Sequence, residues 1–271
     1  MTPIHLKERA VLAVAGAEAA DFLQSLVTND IAALPDDAAC WAALLTPQGK
    51  ILFDFFIHRA APDRFLLDVS AAQRDQLAQR MGMYVLRRDV AITPRDDLAV
   101  AAGDVEGAQA VFADPRRPDF GRRAIIDAEQ AAALPDDAAD YHRRRIALGL
   151  PDTDADIRSG DIFPHEANMD QLGGVSFTKG CYVGQEVVSR MRHKTTVRKR
   201  LVPVSADAPL TSGVDVTAGG RRIGDVRSVA GRRAIALIRL DRAAAGDTLL
   251  AGEVPVTLVR PDWATFAVPG A

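Results

Sequence analysis

Apolar residues in the first quarter of the chain follow two different spacings. Residues 17–26 place them on one helical face, which predicts a short amphipathic helix. Residues 42–45, 51–58 and 65–69 are apolar runs of strand length, and the turn-forming residues 46–49 separate the first two. The pattern therefore predicts a helix, then a hairpin, then a third strand.

The middle of the chain alternates irregularly between the same two patterns. Residues 71–84, 105–112 and 140–148 have helical spacing, and residues 90–92 and 98–101 are short apolar strands. Because hairpins and helices follow one another without a regular βαβ order, we expect an α+β fold with a mostly antiparallel sheet.

The pattern changes after residue 198. Short β-type runs follow one another, separated by glycine turns at residues 218–220, 230–232 and 245–247, and no helical spacing interrupts them. This is typical of a small all-β module of about 70 residues, most simply a barrel. We therefore predict an α+β domain over residues 1–197 and a C-terminal β-barrel over residues 198–271.

Composition indicates an ordinary globular protein. Of the 271 residues, 48% are hydrophobic and 25% are charged. No apolar run approaches the roughly 20 residues that span a bilayer, so no membrane segment is expected. The first residues mix charges, and two cysteines cannot build a disulfide framework. These features predict a reducing, cytoplasmic location.

Charge is distributed unevenly along the chain. From Val187 onward there are 14 Lys/Arg against 7 Asp/Glu, and much of this excess lies in the basic run 190–200. The run could bind nucleic acid, but it lacks the interleaved aromatic residues of a stacking surface, so nucleic acid is not the expected ligand. An acidic partner surface, a polyanionic ligand tail and a solvated strand leading into the barrel remain open.

Cys181 lies in the most distinctive segment. Lys179 precedes it, Gly180 and Gly184 flank it, and the basic run follows. Nearby cations favour the thiolate, the form that reacts or binds metal. Three interpretations are open: a buried structural thiol, a nucleophile that uses His165 or His193 as base, and a metal ligand.

A metal role for Cys181 would require further ligands from elsewhere. An iron–sulfur cluster typically takes four protein ligands, and the chain has no zinc-type motif or closely spaced cysteine pair. Cys40, the other cysteine, has apolar neighbours and is interpreted as a small buried hydrophobic residue. The remaining ligands would have to come from a partner protein or small thiols.

Residues 163–170 form a second polar segment, with two acids, an amide and a histidine. The carboxylate of Glu166 suits a ligand with paired N–H donors, such as a pterin. The alternative is a solvated loop whose acids cap nearby backbone groups.

Residues 163–170 and 174–186 resemble the signature of the YgfZ family, which are folate-binding proteins implicated in iron–sulfur cluster assembly. The similarity extends to residues 21–30, 45–50 and 198–201, and so covers most of the chain. It implies that the chain binds tetrahydrofolate and transiently holds an iron–sulfur cluster, shared with an A-type carrier or a client iron–sulfur protein.

The same resemblance implies roles for the residues of the cysteine segment. Cys181 would be a shared cluster ligand or reactive thiol, and Lys179 would keep its thiolate available. The other matching motif residues are Gly180, Tyr182, Gly184, Gln185 and Glu186.

The wider superfamily is similar to the glycine-cleavage T-protein, a folate-dependent aminomethyltransferase with an α+β region and a C-terminal barrel. This likeness implies folate contacts from the residues Glu166, Asn168, Tyr141, Asn29 and Asp54. T-proteins carry paired acids where this chain has Phe53 and the single acid Asp54. A classical enzyme is therefore not expected, and a folate-dependent aminomethyl or methyl transferase or demethylase is the alternative.

Overall fold

A computed structural model describes residues 2–194, 197–244 and 246–271. The chain folds into two compact units, each built from two pieces of the sequence. The first unit comprises Met1–Ala138 and Gly173–Gln185, and the second comprises Ala139–Leu172 and Glu186–Ala271. The segment that contains Cys181 therefore belongs with the N-terminal part of the chain. The division predicted between residues 197 and 198 stays a prediction.

The described part of the first unit contains two antiparallel sheets and three α-helices. Its strands are Ile4–His5 (β1), Arg9–Ala15 (β2), Ala39–Leu45 (β3), Ile51–Ala61 (β4), Arg64–Ser70 (β5), Ala91–Pro94 (β6), Leu98–Ala102 (β7), Ala110–Ala113 (β8) and Arg122–Asp127 (β9). Its helices are Ala19–Leu26 (α1), Arg74–Val85 (α2) and Ala128–Ala132 (α3), with a 3₁₀ turn at Pro118–Phe120. One sheet has the order β3-β4-β5-β2-β6, and the other has the order β1-β7-β9-β8.

The larger sheet supplies most of the core of the first unit. Residues on one face of its strands, including Phe55 and Phe65, pack with Phe22 and Leu23 of α1 and with Met81 of α2. The alternation of side chains along a strand and the helical period of α1 bring these apolar faces together. Their burial holds the C-terminal end of α1 against the sheet.

The second unit contains a closed six-stranded barrel with the order β10-β13-β12-β11-β14-β15. Its elements are the helices Ala139–Leu148 (α4) and Gln185–Lys194 (α5), the strands Lys199–Ser205 (β10), Asp215–Ala218 (β11), Arg221–Ala230 (β12), Arg233–Arg239 (β13), Leu249–Ala251 (β14) and Val254–Leu258 (β15), and a 3₁₀ turn at Leu240–Arg242. Closure pairs the first strand with the last and so protects the sheet edges. Small and branched residues such as Val202, Val226 and Ala236 fill the interior.

The predicted fold class is confirmed: the first unit has antiparallel sheets with packed helices, and the C-terminal strands form a barrel. One local prediction was wrong. Residues 105–112 are not a helix, because Ala110 and Phe112 alternate with less buried neighbours and form β8. The first part of the basic run lies on α5, and β10 begins at Lys199, so the alternative of a solvated strand fits only the end of the run. Residues 195 and 196 lie outside the described residues.

None of the helices in the described part of the chain combines the length and apolar character that crossing a membrane requires.

Candidate functional site

Residues 173–184, which we call the cysteine loop, are attached to the end of helix α1. The Thr28 hydroxyl donates to the Gly174 carbonyl oxygen at 2.7 Å, and the Ser176 amide donates to the Thr28 carbonyl oxygen at 2.9 Å. The Asn29 side-chain amide donates to the Gly173 carbonyl oxygen at 2.7 Å. These bonds fix the start of the loop against the chain that leaves α1.

Lys179 provides the central anchor of the cysteine loop. It is only 8% exposed, and its ammonium donates to the carbonyl oxygens of Gln24 and Val27 at 2.7 Å and of Asn29 at 2.8 Å. Helix C-termini present carbonyl oxygens without intrahelical partners, and a cation there is favourable. Burial lowers the pKa of Lys179 to about 8, although the nearby Asp30 carboxylate opposes the shift. All three ammonium donors are therefore used by the end of α1.

Cys181 is exposed, as is Gly180 before it, while the side chains of Lys179 and Tyr182 on either side are buried. Tyr182 is buried, and its ring centroid lies 5.1 Å from the Lys179 ammonium, a cation–π contact. Burial raises the pKa of Tyr182 to about 12. Val183 then packs against the core of the first unit. The loop thus presents the thiol outward between two fixed side chains.

Cys40 has the opposite environment. It lies on β3 with 9% of its surface exposed. Burial raises the pKa of its thiol to about 12, and Lys179 opposes the shift only in part. Because thiolate is the form that binds metal, Cys40 is kept as an inert thiol. Cys181 is the accessible thiol of the pair.

The two glycines around Cys181 differ in what they require. A Cβ on Gly184 would lie 2.6 Å from the Thr46 carbonyl oxygen and 3.1 Å from the Gly49 Cα, and Gly184 has φ +79°. A Cβ on Gly180 would meet no atom within 4 Å. Gly184 therefore allows the loop to sit on the β3–β4 turn. The last motif residues, Gln185 and Glu186, begin α5, where Glu186 pairs with Arg190 at 2.7 Å.

Glu166 lines a separate cavity of about 490 Å³ within the second unit. One carboxylate oxygen accepts from the Phe163 amide at 2.9 Å, and the other lies 3.5 Å from the Lys199 ammonium. The cavity is also lined by Phe163, Met191, Val197, Arg198, Lys199 and Arg239. It combines one carboxylate, apolar side chains and three cations.

The segment that carries Glu166 is fixed by Arg200. The Arg200 guanidinium donates to Asp170 through two nitrogens at 2.9 and 2.8 Å, to the His165 carbonyl oxygen at 2.8 Å and to the Asn168 side-chain oxygen at 3.1 Å. Asn168 is fully buried, and its amide donates to the Leu201 carbonyl oxygen at 2.7 Å. Burial lowers the pKa of His165, which favours its neutral form.

Of the other folate contacts expected from sequence, Asp54 and Tyr141 are buried and Asn29 is half-buried. Asp54 is 5% exposed and accepts from the Trp41 indole at 3.0 Å, and Tyr141 is 2% exposed beside His142. The Asn29 amide also donates to the Trp41 carbonyl oxygen at 2.8 Å. Lys179 and Asn29 meet in the first unit, while Glu166 and Asn168 share one segment of the second. The ligand roles of these residues stay predictions.

Sequence reasoning did not identify Arg239 as a residue of the Glu166 cavity. It stands 40 positions after Lys199, but β10 and β13 pair these two residues directly. Correct strand pairing would have found it, because residues directly opposite on an antiparallel pair are close neighbours. Among the residues that the structure describes, no group of three or more His, Cys, Asp or Glu side chains is placed to hold a metal ion.

Two family models match separate parts of the chain. The GCVT N-terminal domain matches residues 6–111, and the CAF17 C-terminal β-barrel domain matches residues 198–266. Among solved structures, the glycine cleavage system aminomethyltransferase T from Bartonella henselae superposes with a TM-score of 0.73. The match covers 97% of this chain and 86% of that chain at 15% identity, so it shows the fold alone. It confirms the predicted T-protein-like architecture.

Curated relatives match over nearly the whole chain. Mouse iron–sulfur cluster assembly factor IBA57, mitochondrial, is 34% identical over 97% of this chain and 85% of its own length. The human protein of the same name is 32% identical over 96% and 84%. A homologue from Mycosarcoma maydis is 34% identical over 73% and 55%. None of these three is named YgfZ, so that narrower label stays a prediction.

These relatives correct one expectation. The sequence predicts a cytoplasmic location. The comparison contradicts this prediction, since all three relatives are named mitochondrial. The cysteine count separates only reducing from oxidising compartments, and it cannot tell one reducing compartment from another.

Proposed function

This chain belongs to the family of iron–sulfur cluster assembly factors named IBA57, and from that membership we propose that Cys181 supplies one ligand to a cluster shared with a partner protein. The supporting observation is the exposed thiol between the buried anchors Lys179 and Tyr182. The iron–sulfur cluster would be held only while it is shared with the partner, and it is not a cofactor that stays bound to this chain.

A single exposed thiol can supply one ligand to an iron–sulfur cluster that a partner protein also holds. A cluster typically takes four protein ligands, and one cysteine can supply only one of them. The buried anchors hold the Cys181 backbone in place, so the thiol loses little conformational freedom when it binds. The partner that fits is an A-type iron–sulfur carrier or a client iron–sulfur protein, which brings its own cysteines.

The two cysteines provide a matched test of this role. The wild-type chain is mixed anaerobically with a cluster-loaded A-type carrier, and the cluster absorbance of the isolated complex is followed. Cys181→Ala is expected to lose the complex-bound cluster, while Cys40→Ala retains it. Equal retention by Cys181→Ala and wild type would remove Cys181 from the ligand set.

Tetrahydrofolate is the cofactor we propose for the Glu166 cavity. Glu166 accepts a backbone hydrogen bond from Phe163, and a carboxylate has about four acceptor sites, so it retains capacity for the N–H edge of a pterin. Arg198, Lys199 and Arg239 line the same cavity and suit the carboxylates at the other end of a folate. When bound, the folate would supply a carrier for one-carbon units.

Direct binding measurements test the folate proposal. Calorimetric titration with tetrahydrofolate is expected to show binding that Glu166→Gln weakens by about 10- to 100-fold, the usual worth of a charged hydrogen bond. Glu129→Gln, at an exposed position on α3, is the control and should bind like wild type. Equal affinities for all three proteins would exclude Glu166 as the pterin ligand.

We assign less weight to aminomethyl transfer of the T-protein type. Its required acid would be Asp54, and that carboxylate is buried on β4 with the Trp41 indole as a hydrogen-bond donor. An assay for folate-dependent turnover of a methylamine substrate tests this alternative. Only activity of the wild-type chain together with loss of activity in Asp54→Asn would support it.

A further inference from the structure

A groove of about 710 Å³ lies between the β3–β4 turn and helix α2, entirely within the first unit. Leu52 and Phe53 of β4 and Pro47 of the turn form its apolar side. Gln79, Arg80 and Met83, spaced on one face of α2, form the other side. We call this surface the Met83 groove.

Two large apolar side chains are exposed at the end of α2, Met83 in this groove and Leu86 three residues later. Met83 is 64% exposed, and Leu86, the residue after the helix, is 86% exposed. Leu86 also has φ +53° and ψ −106°, a conformation that L side chains rarely adopt. An exposed leucine in a strained backbone position helps neither packing nor local structure. Exposed apolar side chains and strained backbone conformations occur more often where a protein binds a partner than where they stabilise its fold.

The Met83 groove carries a cation and no described acidic lining residue. Arg80 lines it, and Arg87 is exposed in the segment that follows α2. The Arg80 Nε is buried and donates to no described acceptor. A partner that fits this surface presents apolar side chains bordered by carboxylates.

The groove is continuous with the cysteine loop through the β3–β4 turn. Thr46 and Pro47 line the groove, and the Thr46 carbonyl oxygen closely approaches Gly184, three residues after Cys181. One turn therefore forms a wall of the groove and the seat of the loop that presents the thiol.

We propose that the Met83 groove is the docking surface for the iron–sulfur protein that shares the cluster with Cys181. It would receive an apolar, acid-bordered segment of that protein. This inference rests on the proposed function. It assigns the contacts that provide affinity for the partner to the Met83 groove, and cluster ligation to Cys181.

Binding of a cluster-free A-type carrier to the full chain tests the proposal by biolayer interferometry. Leu86→Gly removes the side chain at a φ that glycine adopts readily, and Met83→Gln keeps a good helix former. The double variant is expected to bind at least about 10-fold more weakly than wild type. Arg80→Glu should weaken binding and reduce its salt dependence. Val259→Gln and Arg64→Glu, at exposed positions outside the groove, should bind like wild type.

The outcomes separate docking from ligation. Loss of binding in the groove variants with normal binding of the cluster-free carrier by Cys181→Ala supports the proposal. Groove variants that bind like wild type overturn the docking surface and leave the ligand role of Cys181 intact. A wild-type chain that neither binds the carrier nor retains a cluster with it overturns both.

Discussion

The Lys179 ammonium donates to the carbonyl oxygen of Asn29 at 2.8 Å, joining residues 150 positions apart in the chain. With the bonds to Gln24 and Val27, this contact makes Lys179 the cap of helix α1. The lysine that precedes the exposed thiol therefore anchors the loop on which the thiol is displayed. Several properties of the loop follow from this arrangement.

Lys179→Met should destabilise the fold by about 2–4 kcal/mol, because it leaves one buried and two partly buried carbonyl oxygens without their donor. Urea unfolding measures this loss. Lys7→Met is the control, since Lys7 pairs with Asp136 on the surface and should contribute less than about 1 kcal/mol. Equal urea midpoints for Lys179→Met and wild type would contradict the anchoring role.

Lys179 should also give unfolding a distinct pH dependence. Its pKa is about 8 in the folded protein against an ordinary 10.5, so the unfolded chain binds more protons between these values. Stability from this group therefore rises with pH, by about 1–2 kcal/mol from about pH 7.5 to 9.5. Tyr182, with its pKa raised to about 12, acts in the opposite direction only above about pH 10.

Urea unfolding of wild type and Lys179→Met at several pH values isolates this contribution. The difference in unfolding free energy between the two proteins should grow as pH rises from about 7.5 to 9.5. Parallel curves would show that Lys179 keeps an ordinary pKa in the folded state.

The glycines that flank Cys181 should respond differently to alanine. Gly184→Ala places a Cβ against the β3–β4 turn at a left-handed φ, and should cost at least about 2 kcal/mol. Gly180→Ala meets open space and should change stability by less than about 0.5 kcal/mol. Thermal unfolding compares them, and cluster retention should follow the same order. Equal effects of both variants would contradict the seating of the loop on the turn.

Asp54 and Trp41 should be energetically coupled. The indole N–H donates to the Asp54 carboxylate at 3.0 Å between β3 and β4, in a buried environment. A double-mutant cycle of Asp54→Ala and Trp41→Phe is expected to give a coupling energy of about 1–2 kcal/mol. Additivity within about 0.3 kcal/mol would show that the hydrogen bond contributes nothing to stability.

Local patterns along the chain were sufficient for the fold class. Apolar runs of strand length identify most strands of the larger sheet and the succession of short strands in the barrel, and helical spacing identifies helices α1 and α2, because burial selects apolar residues in these patterns. The cysteine segment was also recognisable, since its composition and order are unusual. The helix predicted over residues 105–112 was wrong because short apolar runs occur in helices and strands alike.

The chemistry of individual residues depended on contacts between distant parts of the chain. The order of residues was enough to reveal a distinctive thiol, a nearby lysine and a separate carboxylate segment. Folding was needed to establish that Lys179 caps α1, that Asp54 is buried against Trp41, and that Arg239 joins Lys199 beside Glu166. Burial and hydrogen bonding are set by residues far apart in sequence, and these determine which polar groups remain available to a ligand.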